Sequence, residues 1–312
     1  MSEDHGMYRR IDGQGEAPGA PGLEPRWTSS QKSVVGTAYS TSSKIWWTTS
    51  HGIVNEIYNP TIDKPQVRDL ELLVTDGESF VHEEKRDLKA QFSYLSKNAP
   101  AVGIVNSDPA GRYTVSKEII SDPHAPVLLI RVKFAGDEEL LRKLKAYALL
   151  APHLDGGGAH NNGHVLDVAG RTVLLAWRNS SALAMAADCG FTNASCGFVG
   201  TSDGYQDVTR HFGMEWHYGS ATDGNIALTG EICIAQHPEF VLAVGFGSAA
   251  HSALTRTVGA LNTPFDLQME RFIEQWTRVQ ARVDLAAASE DGGRLLKASY
   301  GVLLTQDRKS VV

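Results

Sequence analysis

The chain has 312 residues, of which 42% are hydrophobic and 21% are charged, and its formal net charge is −7 at pH 7. This composition is typical of a globular protein and excludes intrinsic disorder and a long coiled coil. The acidic balance provides no general basic field, so neither nucleic acid nor an anionic membrane is predicted as a partner. No run of residues reaches the roughly 18 apolar positions that a membrane span needs.

Cysteine usage and the start of the sequence bear on location. Three cysteines, Cys189, Cys196 and Cys233, are too few for a disulfide scaffold and favour a reducing compartment. The first 18 residues lack the apolar segment of a signal peptide. We therefore predict a cytoplasmic protein. Residues 1–24 are rich in glycine, proline and acidic side chains, which predicts a flexible N-terminal tail.

From residue 34 to about residue 246 the sequence predicts strands almost exclusively. Runs rich in β-branched and aromatic residues alternate with Gly, Asn, Asp and Pro. The clearest runs are residues 44–49, 70–75, 112–120, 127–134, 172–177 and 225–235. Apolar and polar residues alternate in 112–120, as in a half-buried strand, whereas 127–130 is apolar throughout, as in a strand buried on both faces. We predict a mostly β fold, an antiparallel sandwich over residues 25–248.

The pattern then changes to that of helices. An apolar stripe with helical spacing contains Phe265, Met269, Phe272, Ile273, Trp276, Val279 and Val283. We predict a helical linker over residues 249–290 and a further helix over 294–306, within a last segment of residues 291–312. Because little chain remains to cover these helices, we expect an exposed apolar strip on residues 265–283 and 295–304. Such strips favour self-association.

Two polar loops are candidates for metal binding. Residues 152–164 contain His153, Asp155, His160 and His164, but their glycine-rich sequence makes a helix improbable, so the His spacing is a weak signal. We interpret this segment as a polar surface loop.

The second loop, residues 200–208, contains Asp203 and Asp207 and is only loosely similar to a calcium loop, because the later glutamate of an EF-hand is absent. Since Asp-Gly forms a turn by itself, a turn is the favoured interpretation. No metal site and no cofactor are predicted, with a structural Ca²⁺ ion as the one exception left open.

Carboxylates that are close in sequence recur along the chain. The pairs are Asp69 and Glu71, Glu83 and Glu84, Glu138 and Glu139, and Glu290 and Asp291. Acid–base catalysis needs two carboxyls that face each other across a substrate, which sequence neighbours do not show. We interpret these pairs as solvated.

Aromatic residues are candidates for stacking on sugar rings. Trp47 and Trp216 are the two that we single out, and packing in the core is the alternative left open for both.

Four blocks of the sequence resemble one family. Residues 19–38, 50–77, Glu84–Asp87 and 200–208 are similar to the N-terminal domain of bacterial and archaeal glucoamylases and glucodextranases, in glycoside hydrolase family fifteen. The resemblance covers roughly residues 19–312. It implies a super-β-sandwich of the galactose mutarotase-like kind, a helical linker and an (α/α)6 barrel, the first helix of which would start within residues 291–312.

The resemblance also implies a function. Family members hydrolyse α-glucosidic bonds from non-reducing ends with inversion, using two glutamates of the barrel. No residue of this sequence matches either glutamate, so we predict no catalytic residue and an inactive isolated chain. The implied partners are the protein's own catalytic barrel and, in the full-length parent, an α-glucan or maltooligosaccharide.

One loop of the sandwich is a candidate for the rim of the substrate cleft or for a domain interface. It contains Tyr58, Asn59, Asp63, Arg68 and Asp69, whose side chains can bind sugar hydroxyls or pair with another domain. Pairing inside the sandwich is the alternative.

Two other functions remain open. The first is a stand-alone carbohydrate-binding or interaction module. The second is a mutarotase-like epimerase, for which a histidine acid and a carboxylate base would have to converge. The pairs to examine for the epimerase are His51 and His211 with Glu56 and Glu215.

Overall fold

The computed structural model describes residues 8–281 and 293–306, which form two antiparallel β-sheets with helices on their outer faces. The strands of these residues are, in chain order, β1 (Arg9–Arg10), β2 (Val34–Thr37), β3 (Trp46–Ser50), β4 (Ile53–Tyr58), β5 (Pro65–Thr75), β6 (Val81–Glu83), β7 (Lys89–Tyr94), β8 (Val102–Ser107), β9 (Tyr113–Ser121), β10 (Val127–Gly136), β11 (Lys145–Pro152), β12 (Asn161–Val168), β13 (Arg171–Arg178), β14 (Ser181–Ala187), β15 (Asn193–Phe198), β16 (Ser220–Gly224), β17 (Ile226–Cys233) and β18 (Glu239–Gly247). The helices are α1 (Glu84–Asp87), α2 (Glu138–Leu141), α3 (Gly204–His211), α4 (Ala250–Leu261), α5 (Phe265–Gln280) and α6 (Arg294–Gln306).

The two sheets differ in size. The larger has ten strands in the spatial order β1-β12-β13-β14-β18-β10-β9-β8-β7, with β16 beside β12. The smaller has eight strands in the order β15-β17-β11-β5-β4-β3-β2, with β6 beside β5. The predicted antiparallel sandwich followed by C-terminal helices is confirmed. No helix within the described ranges is both long and apolar enough to cross a membrane.

The all-apolar run at the start of β10 explains why the larger sheet is buried on both faces. Leu128 and Ile130 belong to the core between the two sheets. Val127 and Leu129 point the other way and pack with Phe272 of α5. Alternation along a strand places successive side chains on opposite faces, so both faces of β10 need a cover. The linker helices provide it on the outer face.

The predicted exposure of the α5 stripe is wrong. Phe265, Phe272, Trp276 and Val279 are all buried, with Trp276 only 1% exposed. The indole nitrogen of Trp276 donates a hydrogen bond to the Thr37 carbonyl oxygen at 3.2 Å. The stripe finds its partner surface on the larger sheet, because that sheet is apolar on its outer face as well. Val283 lies outside the described residues.

Helix α6 is less well covered than α5. Leu304 packs against the cluster around Trp276. Leu296 is 40% exposed and Leu303 is 67% exposed. An exposed apolar strip is therefore present on α6, although it is absent from α5.

The tail predicted over residues 1–24 is wrong for residues 8–24. Strand β1 pairs with β12, and Gly13 and Glu16 form bridges to Tyr218 and Ser220. Ala17 is buried in the core between the sheets. Backbone pairing and the burial of Ala17 therefore hold this segment against the sandwich. Residues 1–7 lie outside the described ranges.

A buried ion pair connects the two sheets. Lys117 of β9 in the larger sheet lies 2.8 Å from Glu84 Oε1 in α1, which follows a strand of the smaller sheet. Glu84 also accepts hydrogen bonds from the Leu72 backbone N–H at 2.8 Å and from Asn106 Nδ2 at 2.7 Å. Full pairing compensates the cost of burying a charge. Glu84 is fully buried, so its interpretation as solvated is wrong.

Candidate functional site

A pit of about 250 Å³ opens on the outer face of the smaller sheet. Leu70, Leu72 and Val74 of β5 point into the core. Because side chains alternate along a strand, Asp69 and Glu71 lie on the opposite face. Residues of β5, β6, β11 and β17 line the pit together with α1, the start of α3 and the N-terminal segment.

An ion cluster centred on Lys85 forms one side of the pit. The Lys85 ammonium nitrogen lies 2.6 Å from Glu71 Oε1, 2.9 Å from Glu83 Oε1 and 3.3 Å from Asp69 Oδ2. The side chain of Lys85 is only 12% exposed. Burial alone would lower the pKa of Lys85, but Glu71, Asp69 and Glu83 together raise it above its ordinary value. The lysine is therefore held as a cation.

The carboxylates of the cluster are buried as well. Asp69 is 2% exposed, Glu71 is 3% exposed and Glu83 is 5% exposed, so the interpretation of these residues as solvated is wrong. By contrast, Glu138 and Glu139 are exposed, and Glu290 and Asp291 lie outside the described residues.

Burial raises the pKa of Glu71 to about 8, and the negative charges of Glu83 and Asp69 act in the same direction, whereas Lys85 lowers it. Burial therefore favours the neutral form of this carboxyl, and the ion pair with Lys85 favours its charged form.

Hydrogen bonding is uneven within the cluster. Asp69 Oδ2 accepts from Arg68 Nε at 3.1 Å, from Lys85 and from the Thr28 hydroxyl. Among the described residues, neither Asp69 Oδ1 nor Glu71 Oε2 has a hydrogen-bond partner, although both atoms are buried. Buried polar atoms are nearly always paired, so these two oxygens have acceptor capacity that the described residues leave unused.

The opposite wall of the pit is formed by α3. Asp203 caps this helix by accepting a hydrogen bond from the Gln206 backbone N–H at 3.0 Å. Burial raises the pKa of Asp203, and the backbone hydrogen bonds oppose that rise. Tyr205, in the first turn, accepts a hydrogen bond from Arg86 Nη1 at 3.2 Å through its hydroxyl. The interpretation of residues 200–208 as a turn is wrong for residues 204–208, which form the start of α3 with Asp203 as its N-cap.

The structure separates the five predicted rim residues into two groups. Arg68 and Asp69 lie at the pit. Tyr58, Asn59 and Asp63 lie in or beside the β4–β5 hairpin loop. The start of β5, where this loop ends, is four residues before Asp69, which is roughly 13 Å along the strand at about 3.3 Å per residue.

The hairpin residues have local partners. The Tyr58 hydroxyl donates to Glu56, and Asn59 Nδ2 donates to the Lys44 carbonyl oxygen at 2.6 Å. Burial raises the pKa of Tyr58, and its hydrogen bond to Glu56 raises it further. Asp63 is exposed.

Of the two tryptophans singled out, Trp47 offers no face to a sugar. It is fully buried, and its indole nitrogen donates to Ser121 Oγ at 3.1 Å across the two sheets. The interpretation of Trp47 as a sugar-stacking residue is therefore wrong, because the side chain is buried between the sheets. Trp216 is half-buried, with the Arg210 guanidinium 5.6 Å from its ring centroid. Trp216 lies outside the pit, and its role in stacking stays a prediction.

The candidate histidines do not converge. His153 is buried beside the Trp27 ring, His160 pairs with Asp223 at 2.7 Å, and His164 stacks on Trp177. In residues 8–281 and 293–306 no group of three or more His, Cys, Asp or Glu side chains is placed to hold a metal ion.

The epimerase pairs are also separate from the pit. His211 Nδ1 bonds to Asp207 at 2.7 Å, and its Nε2 lies 3.8 Å from exposed Glu215. His51 contacts Ser50, whereas Glu56 pairs with Lys32 at 2.9 Å.

Comparison with known proteins then identifies the family. The family model described as glucodextranase, domain N, matches residues 17–281. The chain belongs to the glucodextranase domain N family. Domain N, as we call the chain from here on, is 31% identical over 262 residues to a protein named glucoamylase from Clostridium sp. (strain G0005). That alignment covers 84% of this chain and 37% of the relative.

Solved structures agree with this assignment. Domain N is similar to a bacterial glucoamylase crystallised with acarbose, with a TM-score of 0.91 and 29% identity over 95% of this chain and 44% of the other. A family GH92 inverting mannosidase from Bacteroides thetaiotaomicron VPI-5482 shares the fold, with a TM-score of 0.56 and 10% identity over 88% of this chain and 36% of that one. Domain N thus spans less than half the length of these relatives.

All four sequence blocks that carry the resemblance meet at the pit. Leu23 comes from the first block, Asp69 from the second, Lys85 from the third and Asp203 from the fourth. Sequence reasoning named Asp69 but missed Glu71, Glu83, Lys85 and Tyr205 as members of one site. The available signal was the presence of Glu71, Lys85 and Tyr205 in these blocks, although nothing in the sequence alone shows that the blocks meet in space.

Proposed function

We propose that domain N is the non-catalytic N-terminal domain of a glucoamylase-type glycoside hydrolase that releases glucose from the non-reducing ends of α-glucans. The observation that carries this proposal is the family match over residues 17–281, together with a relative named glucoamylase. The relatives are more than twice as long as the matched region, which leaves room for a catalytic domain. In this proposal the catalytic barrel is the principal partner of domain N.

The chemistry of the proposed reaction supports a non-catalytic role. Inverting hydrolysis needs an acid and a base carboxyl about 6.5–9.5 Å apart, with room for water between them. In the pit, Glu71 and Glu83 both bind the same Lys85 ammonium, at 2.6 Å and 2.9 Å. A cation between two carboxylates occupies the space that the attacking water would need. The acid and the base would therefore come from the barrel.

Tyr58, Asn59 and Asp63 remain our candidates for the substrate rim or the domain interface. They support this role by lying in or beside a hairpin loop, where polar groups are accessible to a neighbouring domain or a sugar. Arg68 and Asp69, by contrast, already pair with each other in the pit. A cytoplasmic location also stays part of the proposal and is supported by three free cysteines.

The experiment that tests this function is glucose release from a maltooligosaccharide. The 312-residue chain is expected to release none, whereas a form extended through whatever the coding sequence supplies after Val312 is expected to be active. Activity in the short chain would contradict the non-catalytic role. An inactive extended form that binds no maltooligosaccharide would contradict the assignment of the substrate.

We further propose that the isolated chain self-associates through α6, because Leu296 and Leu303 expose apolar surface. Light scattering over a concentration series should show a rising average mass, and Leu296→Glu with Leu303→Glu should return it to that of a monomer. Leu267→Glu is the matched control, since Leu267 is 37% exposed on α5. A monodisperse monomer of the unmodified chain at the highest concentration would reject this proposal.

A further inference from the structure

The pit on the smaller sheet contains more buried charged side chains than packing alone requires. Four carboxylates and three cations line it, and the side chains of Asp69, Glu71, Glu83 and Lys85 are all at least 88% buried. Burying charges is costly even when they are paired, and apolar residues would fill the same volume at least as stably. Charged groups with shifted pKa values in a concave site are a common property of binding sites.

The charges of the pit are of both signs, so the pit presents no uniform field to a small ion. Arg68, Lys85 and Arg86 would repel a small cation, and the four carboxylates would repel an anion. Three cations face four carboxyls, and burial favours the neutral form of one of them, Glu71, so the pit has little net charge. A neutral ligand that both donates and accepts hydrogen bonds matches this balance.

We propose that the pit binds a neutral polyol, specifically the hydroxyl groups of one hexose ring. Asp69 Oδ1 and Glu71 Oε2 are the oxygens left without a partner. A sugar hydroxyl can donate to Asp69 Oδ1, and a hydroxyl can either donate to the charged form of Glu71 or accept from its neutral form. Arg86 at the rim, whose side chain is 62% exposed, and the Tyr205 hydroxyl bind the remaining hydroxyl oxygens. Leu149, Ala227 and the Tyr205 ring provide apolar surface for the C–H face of the sugar.

The size of the pit limits the ligand to a single ring. A volume of about 250 Å³ is below the range of roughly 300–1,000 Å³ that is usual for drug-sized ligands. The choice of a hexose among polyols rests on the proposed function, since glucose is the product of that reaction. The chemistry of the pit itself requires only adjacent hydroxyl groups.

The test uses the 312-residue chain with glucose, maltose, myo-inositol and methylguanidinium as probes, by calorimetry and saturation-transfer NMR. We expect glucose and maltose to bind with dissociation constants in the millimolar range, and methylguanidinium not to bind. Glu71→Gln and Tyr205→Ala should each weaken glucose binding by about tenfold, or about 1.4 kcal/mol, because each alters one hydrogen bond to the sugar. Tyr94→Ala, at an exposed tyrosine on β7, is the matched control and should leave binding unchanged.

The outcomes separate this proposal from the proposed function. If no sugar or inositol binds, or if Tyr94→Ala weakens binding as much as Tyr205→Ala, the pit is not a polyol site, whatever the extended enzyme does. Preferential binding of methylguanidinium would also overturn the proposal and assign the pit to a cationic side chain. If the 312-residue chain binds glucose and inositol but its extended form releases no glucose, the polyol site is supported and the proposed function is overturned.

Discussion

Replacing Lys85 with methionine is expected to lower the free energy of unfolding of domain N by about 3–5 kcal/mol, the usual cost of removing one partner from a buried ion pair. The ammonium of Lys85 is within 3.3 Å of three buried carboxylates. Methionine fills nearly the same volume but supplies neither charge nor donors. Asp69 would keep Arg68 and Glu83 would keep Arg86, whereas Glu71 would lose the counter-ion that Lys85 provides. Urea denaturation at pH 7.5 measures the loss.

The same variant has a pH signature. Without the lysine, which lowers the pKa of Glu71, this pKa should rise further, so Glu71 would be neutral in the folded state at moderately low pH. The deficit of the variant should therefore be smaller at pH 5 than at pH 8. Lys143→Met, at an exposed lysine, is the control and should change the unfolding free energy by under about 0.5 kcal/mol. Equal losses in the two variants would show that the cluster contributes no net stability.

Domain N is expected to lose stability on acidification through His153. This histidine is 1% exposed, and neither ring nitrogen has a hydrogen-bond partner among the residues that the structure describes. Its ring centroid lies 4.8 Å from that of Trp27. Burial lowers the pKa of His153 to about 4, and the positive charge of Arg68 acts in the same direction.

The sign follows from proton binding. Between pH 6.5 and about pH 4 the unfolded chain holds a proton on this histidine and the folded chain does not, so stability falls as pH falls through this window. By pH 4.5 the loss attributable to His153 should reach about 2–3 kcal/mol, at 1.36 kcal/mol for each pKa unit. The pKa of His164 is also lowered to about 4, which adds a loss of the same sign. The raised pKa of Glu71 acts oppositely, since its stabilisation is lost as pH rises.

The contribution of His153 to the pH dependence of stability is isolated by comparing the unmodified chain with a His153→Leu variant. Urea unfolding of the unmodified chain and of His153→Leu should be compared at pH 7.5 and pH 4.5. Because His164 and Glu71 are present in both, their contributions cancel, and the variant should lose about 2–3 kcal/mol less on acidification. Parallel losses in the two proteins would mean that His153 is protonated in the folded state without cost.

Local pattern was sufficient to predict the β-sandwich and its C-terminal helices, although not α1, α2 and α3. The uninterrupted apolar run at residues 127–130 required a cover on both sides, and the structure provides the second sheet on one side and α5 on the other. The alternation in residues 112–120 placed Tyr113, Val115 and Ile119 in the core. These features depend on the two-residue period of strands, which the sequence displays directly.

Local pattern misjudged the polar residues, because their environment is set by distant segments. Lys117 alternates in phase with core residues, and only the approach of Glu84 from the other sheet makes its burial tolerable. The sequence indicated that Glu71 and Glu83 are solvated acids, whereas in the structure both are buried and bind Lys85. Likewise, the glycine-rich composition of the N-terminal segment predicted a flexible tail, whereas its strand β1 pairs with β12.

The sequence by itself therefore determined the family, the strand pattern and the helical stripe of domain N, since each is written in residue periodicity or in contiguous blocks. The tertiary structure alone decided the candidate site. Four blocks separated by up to about 180 residues converge there, and the partners of a buried charge come from whichever elements pack beside it. The same packing placed Trp47 out of reach of any sugar and covered the apolar stripe of α5 with the outer face of the larger sheet.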